Sequence, residues 1–246
     1  MPNKLKSTEL YEETERLNKM RQDFVANVSH ELRTPLTVIH GYVEALLGLP
    51  NIEPSLKDIF GKVSEQTKRM EHLVGDLLLL SRIETEETKA QFEPVNVKSL
   101  LEPIKQDAEN ISRGAHYFSW SVDPALTLLG SLHELRSAFS NLIMNAISYT
   151  KPGGKIAVSW FCDHAQAYFK VSDTGIGIEA KHIERLTERF YRVDKGRSRQ
   201  SGGTGLGLAI VKHVLMRHDA NLEVSSQVNV GSEFSCVFPS SRFVAV

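Results

Sequence analysis

Near the start of the chain a histidine is followed by an acid and, five residues on, a proline: Ser29-His30-Glu31-Leu32-Arg33-Thr34-Pro35. A neutral imidazole is a nucleophile at pH 7, since its ordinary pKa is about 6.5. Glu31 beside it can accept one ring N–H and leave the other nitrogen able to attack. Pro35 has no amide hydrogen for the Glu31 carbonyl, so a helix through this segment bends one turn beyond His30. A lone histidine on a helix is more often a surface or core residue. Its neighbours are what make this one a candidate nucleophile.

Three further groups could handle a nucleotide. Asn141 and Asn145 stand at i, i+4, on one face of a helix. Their amide oxygens are neutral, hard ligands suited to Mg²⁺ that already carries phosphate charge. Asp173-Thr174-Gly175-Ile176-Gly177 follows an alternating, strand-like run. There Asp173 could accept from an exocyclic amine, and the glycines let backbone approach a flat ring. Gly202-Gly203-Thr204-Gly205-Leu206-Gly207-Leu208 runs straight into an apolar helical stretch, which is the arrangement of a phosphate cradle. It is neither a dinucleotide GxGxxG nor a Walker loop. The preceding residues 192–200, RVDKGRSRQ, read as a basic lid over phosphates. Taken singly, each group also fits a plain turn, a helix cap or a solvated loop.

These groups need elements to position them. Residues 8–49 read as one long helix. Leu10, Leu17 and Phe24 are spaced by seven, and Leu32, Leu36, Ile39, Val43 and Leu46 continue the stripe. Pro50, Asn51 and Pro54 mark a turn. A second helix follows with Ile59, Val63, Met70, Leu73, Leu77 and Leu80 on one face, ending near Ile83. One hairpin cannot cover two such stripes, so pairing of two copies into a four-helix bundle is expected. Residues 91–97 read as a linker entering a strand. Helices are expected over 100–111, 132–148 and 210–218, paired strands over 155–161 and 165–171, and a closing hairpin over 222–226 and 233–238. The fold class is α+β, with domains at 1–90 and 91–246 and a hinge over residues 84–94.

Formal net charge is −1, so no broad basic field for nucleic acid or anionic membrane is present. Cys162 and Cys236 form no CxxC or Cys/His zinc pattern and read as two buried free thiols in a reducing compartment. No apolar run reaches the ~18 residues needed to span a bilayer, because the best, 73–80, is interrupted by Gly75 and Asp76. The polar N-terminus lacks the apolar segment of a signal peptide.

The motifs occur in the order of one family. HELRTPL resembles the phosphoacceptor box of sensor histidine kinases, NLIMNA their N box, DTGIGI their first glycine box, FYRVD their F box and GGTGLGL their second glycine box. ANVSHELRTPLTVIHGY and LTERFYRVDKGRSRQSGGTGLGLAIVKH are similar to the phosphate-regulon sensor kinases of Gram-negative bacteria. The resemblance implies a dimeric hairpin bundle followed by an α/β-sandwich ATP-binding domain of the GHKL (Bergerat) type. By it, His30 is the phosphoacceptor, Glu31 its general base, and Thr34 positions water for dephosphorylating a partner. Asn145 with Asn141 holds Mg²⁺ on ATP. Asp173 reads the adenine amine, while Gly175, Gly177 and Tyr149 shape the base pocket. Arg192 approaches the γ-phosphate, and Gly203, Thr204, Gly205, Leu206 and Gly207 wrap the phosphates. It further implies a homodimer, a response-regulator partner of the phosphate regulon, no nucleic acid, and the cytoplasmic portion of an inner-membrane protein. Two departures stand out. Ser148 lies where many members carry lysine, and the last glycine box is reduced to Gly231-Ser232. A related ATPase, chaperone-like or topoisomerase-like, would explain the glycines and asparagines but not HELRTPL. A silent scaffold would require lost motif residues.

Overall fold

A computed structural model describes residues 16, 20, 28, 31, 32, 34–49, 52–85, 92–193 and 204–245. The chain divides into two compact units, Met1–Glu87 and Thr88–Val246.

In the first unit every described residue from 16 to 47 is helical, and 34–47 form an unbroken helix, α1. The chain turns at Gly48, and α2 spans Pro54–Thr85. Pro54, expected in the turn, is instead the first helical residue, where its missing N–H and fixed φ cost nothing. The Glu53 carbonyl accepts the first helical bond, from the Lys57 N–H at 2.9 Å. Leu36 and Val43, seven apart, are buried on α1, and Ser64, Thr67, Val74 and Leu78 are buried on α2. The buried face keeps part of the expected stripes, Leu36, Val43 and Leu80, and departs from the rest. Of the anticipated α2 stripe, Ile59, Val63 and Met70 lie open, as do Leu32, Ile39 and Leu46 on α1. The buried face of α2 carries Ser64 and Thr67 beside its apolar residues. The Thr67 hydroxyl makes that placement tolerable by donating to the Val63 carbonyl at 2.9 Å. Lys68 on α2 reaches Glu44 on α1 at 3.7 Å.

The second unit holds two sheets. The smaller is antiparallel, ordered β1-β3-β8, from Glu93–Asn96, Leu126–Gly130 and Phe243–Ala245. The larger is ordered β2-β4-β5-β7-β6, from Tyr117–Val122, Lys155–Asp163, Gln166–Asp173, Gly231–Pro239 and Asn221–Gln227. β2 and β4 are parallel and the other pairs antiparallel. The helices are α3 (Val97–Ser112), α4 (Leu132–Tyr149), the short α5 (Ala180–Ile183) and α6 (Gly207–Arg217). Asn96 caps α3 by accepting the Ser99 N–H. On β4 and β5 alternate residues turn inward, so Ile156, Val158, Trp160, Ala167, Phe169 and Val171 are buried. Phe139 of α4 stacks on Phe169 with centroids 3.8 Å apart, and Phe238 and Trp160 meet edge to face. The Trp160 ring N–H donates to the Leu126 carbonyl, joining the two sheets.

Helices α3, α4 and α6 and the β4/β5 and β6/β7 hairpins lie where the sequence places them, with ends displaced by a few residues. β2, β3, β8 and α5 are additions. Cys236 is buried in apolar surroundings that push its thiol up, but Cys162 is exposed, at the end of β4 where side chains alternate outward. The expectation of two buried thiols is therefore corrected to one. No helix among the described residues is long and apolar enough to cross a membrane.

Candidate active site

The C-terminal half of α4 is the common wall of two glycine-bearing loops. At its end, the Tyr149 carbonyl accepts the Ile176 N–H at 3.2 Å. A side chain at Gly175 would meet that same carbonyl at 2.4 Å, so DTGIG lies flat against the end of the helix. The Tyr149 side chain is exposed. Within the loop, Asp173 accepts the Gly175 N–H at 2.7 Å. Burial raises the Asp173 pKa, and backbone hydrogen bonds from Gly175 and Ser232 work against that rise.

This loop is held from behind by the turn between β6 and β7. Gly177 has φ +67°, and a Cβ there would lie 2.0 Å from the Gln227 carbonyl oxygen. Gly231 has φ +141°, and a Cβ there would lie 1.9 Å from the Asp173 carbonyl oxygen. Only glycine fits either place. The Ser226 hydroxyl accepts the Ile178 N–H at 2.8 Å and donates to the Gly231 carbonyl at 3.0 Å. Asn229 donates its N–H to the Ile176 carbonyl at 2.7 Å. The β6–β7 turn is thus the buttress of the Asp173 loop. Gly231-Ser232, which reads as a reduced glycine box, belongs to that buttress.

Just over two turns back along α4, Asn141 touches the start of α6. Its amide donates to the Ser137 carbonyl at 3.0 Å, and a Cβ at Gly207 would lie 2.4 Å from its Oδ1. Asn145 is half-buried, and no hydrogen bond to a described residue engages its amide. The two asparagines differ: Asn141 is held as part of a helix–helix contact, while Asn145 presents an amide able to take a ligand. Both share the wall with the first turn of α6, where the N–H groups of Gly207, Leu208 and Ala209 have no intrahelical carbonyl. The Ile210 N–H is the first to find one, on Leu206. Leu206 itself is fully buried and its N–H goes to the Thr204 hydroxyl at 3.2 Å, so its side chain is part of the core.

The F-box segment meets the same loop. The Phe190 N–H donates to the Gly205 carbonyl at 2.8 Å, and the Phe190 side chain stands exposed. Tyr191 is anchored by His182, whose Nδ1 lies 2.6 Å from its hydroxyl, and by the Arg185 guanidinium 4.3 Å over its ring. Arg192 follows directly and is half-buried. Gly203 and the basic segment 194–200 lie outside the described residues, as does His30. Glu31 and Thr34, three apart on the helix of the first unit, are both exposed. The structure therefore brings together Asn141, Asn145, Tyr149, Asp173, Gly175, Gly177, Thr204, Gly205 and Gly207 in the second unit.

Two family models match the chain in sequence. Residues 20–86 match the His Kinase A (phospho-acceptor) domain. Residues 130–242 match the histidine kinase-, DNA gyrase B-, and HSP90-like ATPase domain. The chain belongs to the histidine kinases. Among its relatives, the phosphate regulon sensor protein PhoR of Pseudomonas aeruginosa is 52% identical over 228 residues, which are 92% of this chain and 52% of that protein. PhoR of Haemophilus influenzae is 40% identical over 224 residues, covering 91% of this chain and 52% of that protein. This histidine kinase chain spans about half the length of the curated relatives it matches. The crystal structure of full-length ShkA in complex with AMPPNP superposes with a TM-score of 0.71 and 26% identity, over 91% of this chain and 46% of that one. Helices first and a mixed-sheet ATPase domain second is the order that the histidine kinase motifs imply.

Proposed function

We propose that this histidine kinase core transfers the terminal phosphoryl of Mg²⁺–ATP to His30 and then to an aspartate of a response regulator, in the phosphate-starvation response. The observation that carries the reading is the double contact of α4. It meets the Asp173 loop through Tyr149 and the α6 glycine loop through Asn141. A nucleotide laid along α4 would have its base at Asp173 and its phosphates at the first turn of α6. Asp173 would accept from the adenine amine, with Gly175, Gly177 and the exposed Tyr149 side chain around the ring. The unengaged N–H groups of α6, with Gly203, Thr204 and Gly205, would receive the phosphates. Asn145 fits a phosphate-bound Mg²⁺, because its amide is half-buried and has no described partner; Asn141 supports it. Arg192 would approach the γ-phosphate.

The neutral His30 nitrogen attacks the terminal phosphorus in line. The bond to the β–γ bridging oxygen breaks, ADP leaves, and Glu31 takes the proton from the other ring nitrogen. Thr34 would place the water that hydrolyses the phosphorylated regulator. Residues 1–90 would form the dimerising phosphotransfer domain and 91–246 the ATP-binding domain. The open apolar stripes on α1 and α2 support a homodimer, with regulator docking on the surface beyond His30. By likeness to the two PhoR proteins, the partner is the phosphate-regulon regulator, and the whole protein is anchored in the inner membrane.

The test is timed transfer. Chain labelled from γ-labelled ATP is mixed with the phosphate-regulon regulator and with an unrelated one. Loss of label to the former within seconds to minutes, and not to the latter, supports the reading. Equal transfer to both overturns the regulon assignment. In Thr34→Ala, labelling should persist while dephosphorylation of the regulator slows; unchanged dephosphorylation rules out the Thr34 role.

A further inference from the structure

His218 is a fully buried histidine that the reaction above does not use. Its Nε2 accepts the Ser131 N–H at 3.0 Å, at the N-cap of α4. Its Nδ1 lies 2.7 Å from the Val214 carbonyl of α6 and donates to it. One nitrogen accepts and the other donates, so the ring is neutral, with its proton on Nδ1. Burial pushes its pKa down to about 4, which agrees with that assignment. Phe92 stacks on the imidazole with centroids 4.7 Å apart, and the Arg242 guanidinium sits 4.4 Å over the Phe92 ring while paired with Asp219. Gly130 is the neighbour that makes room: a Cβ there would lie 2.7 Å from the His218 ring.

The position matters because α4 and α6 meet at two points. Ser131 meets His218, and Asn141 meets Gly207. Ten residues separate Ser131 from Asn141 and eleven separate Gly207 from His218, about 15 and 17 Å of helix rise. The spans match, as they must in an antiparallel helix pair. The contact at Gly207 is a close approach with no hydrogen bond across it among the described residues, so it limits separation more than sliding. At the other end, the directional His218–Ser131 bond, with Arg217 and Glu134 at 3.3 Å beside it, resists sliding. A slip of one residue would move the asparagine wall about 1.5 Å along the glycine loop. Misplacements near 1 Å can cost on the order of a hundredfold in reactions that depend on positioning.

We infer that His218 is a positioning residue for the nucleotide site: its Nε2 sets the register of α4 against α6, and so of Asn145 against the phosphate-binding turn. This inference rests on the nucleotide reading given above. Two variants of similar size separate it from a merely structural role. His218→Gln places an amide oxygen where Nε2 can be replaced as the acceptor for Ser131. His218→Asn places an amide nitrogen near Nδ1, retaining the bond to Val214 and losing the one to α4. Both should lower the melting temperature. Well below melting, with Mg²⁺ and AMPPNP in calorimetry on the full chain, His218→Asn should bind about tenfold more weakly, while His218→Gln stays within about threefold of the native chain. Equal affinities in the two variants would overturn the inference. If neither variant folds, the ¹⁵N shift of Nε2 in the native chain decides: it should move when AMPPNP binds, and an unmoved shift overturns the inference. Failure of the native chain to bind AMPPNP would instead defeat the nucleotide reading itself.

Discussion

The α/β unit has an aromatic core of its own, in which Trp160, Phe139, Phe169 and Phe238 are fully buried. On the helical hairpin, Ile39, Tyr42, Ile59 and Met70 lie open, and the seam between its helices is lined partly by serine and threonine. The first arrangement closes its own core. The second leaves apolar side chains open for another surface. That contrast assigns tasks: a rigid, self-contained body suits a nucleotide site, where loops must hold within about an ångström, and an unfinished body suits assembly and partner exchange.

The contrast is broken most severely at the buttress. Gly177→Ala and Gly231→Ala each drive a Cβ to about 2 Å from a backbone carbonyl at positive φ. Each should destabilise the α/β unit by at least about 3 kcal/mol and abolish nucleotide binding. The helical signal of the hairpin should persist in circular dichroism; a fully native melting curve would contradict the buttress. Phe139→Ala should cost about 3–5 kcal/mol in the same unit, measured by denaturant unfolding.

Acid should act on the α/β unit through His218. Its folded pKa of about 4 lies below the ordinary imidazole value of about 6.5. Below pH 6.5 the unfolded chain takes up a proton that the folded chain refuses, so stability falls as pH drops, and the loss levels off near pH 4. The gap corresponds to about 3 kcal/mol in full. Arg217 and Arg242 lower the pKa further, while the Val214 carbonyl and Asp219 oppose the shift. Unfolding titrations of native and His218→Gln chains should diverge over that window; parallel curves would contradict a neutral buried imidazole.

On the hairpin, Ile39→Asn combined with Ile59→Asn should leave the melting of the α/β unit unchanged. In sedimentation it should shift the chain toward monomer at micromolar concentration, because the open stripe is what a second copy would cover. A variant that stays dimeric would mean another surface joins the copies.

Legibility in the sequence followed the same division. Helical periodicity exposed α1, α2, α4 and α6, and alternation exposed the β4/β5 pair. Neither could say which face of a helix meets its own partner, so Ser64 and Thr67 went unrecognised as seam residues. β2 was missed because its pairing is parallel and distant, Tyr117 with Lys155, and its residues are only half-buried at a sheet edge. The motif residues around Asn145, Asp173 and Gly205 were legible because their chemistry is local. Ser226 and His218 were not, since each acts on a segment tens of residues away through one close approach, and Gly231 was legible as a remnant glycine box but not as the buttress of the Asp173 loop. A glycine that must be glycine leaves no periodic trace.

In the proposed reaction the terminal phosphoryl of ATP moves to His30. The direct measurement is incubation of the chain with γ-labelled ATP and Mg²⁺, beside His30→Gln and Asn145→Ala. Label should appear on the native chain, be stable to base and labile to acid as a phosphoramidate is, and be absent from His30→Gln and strongly reduced in Asn145→Ala. Label of that character persisting in His30→Gln would contradict the account.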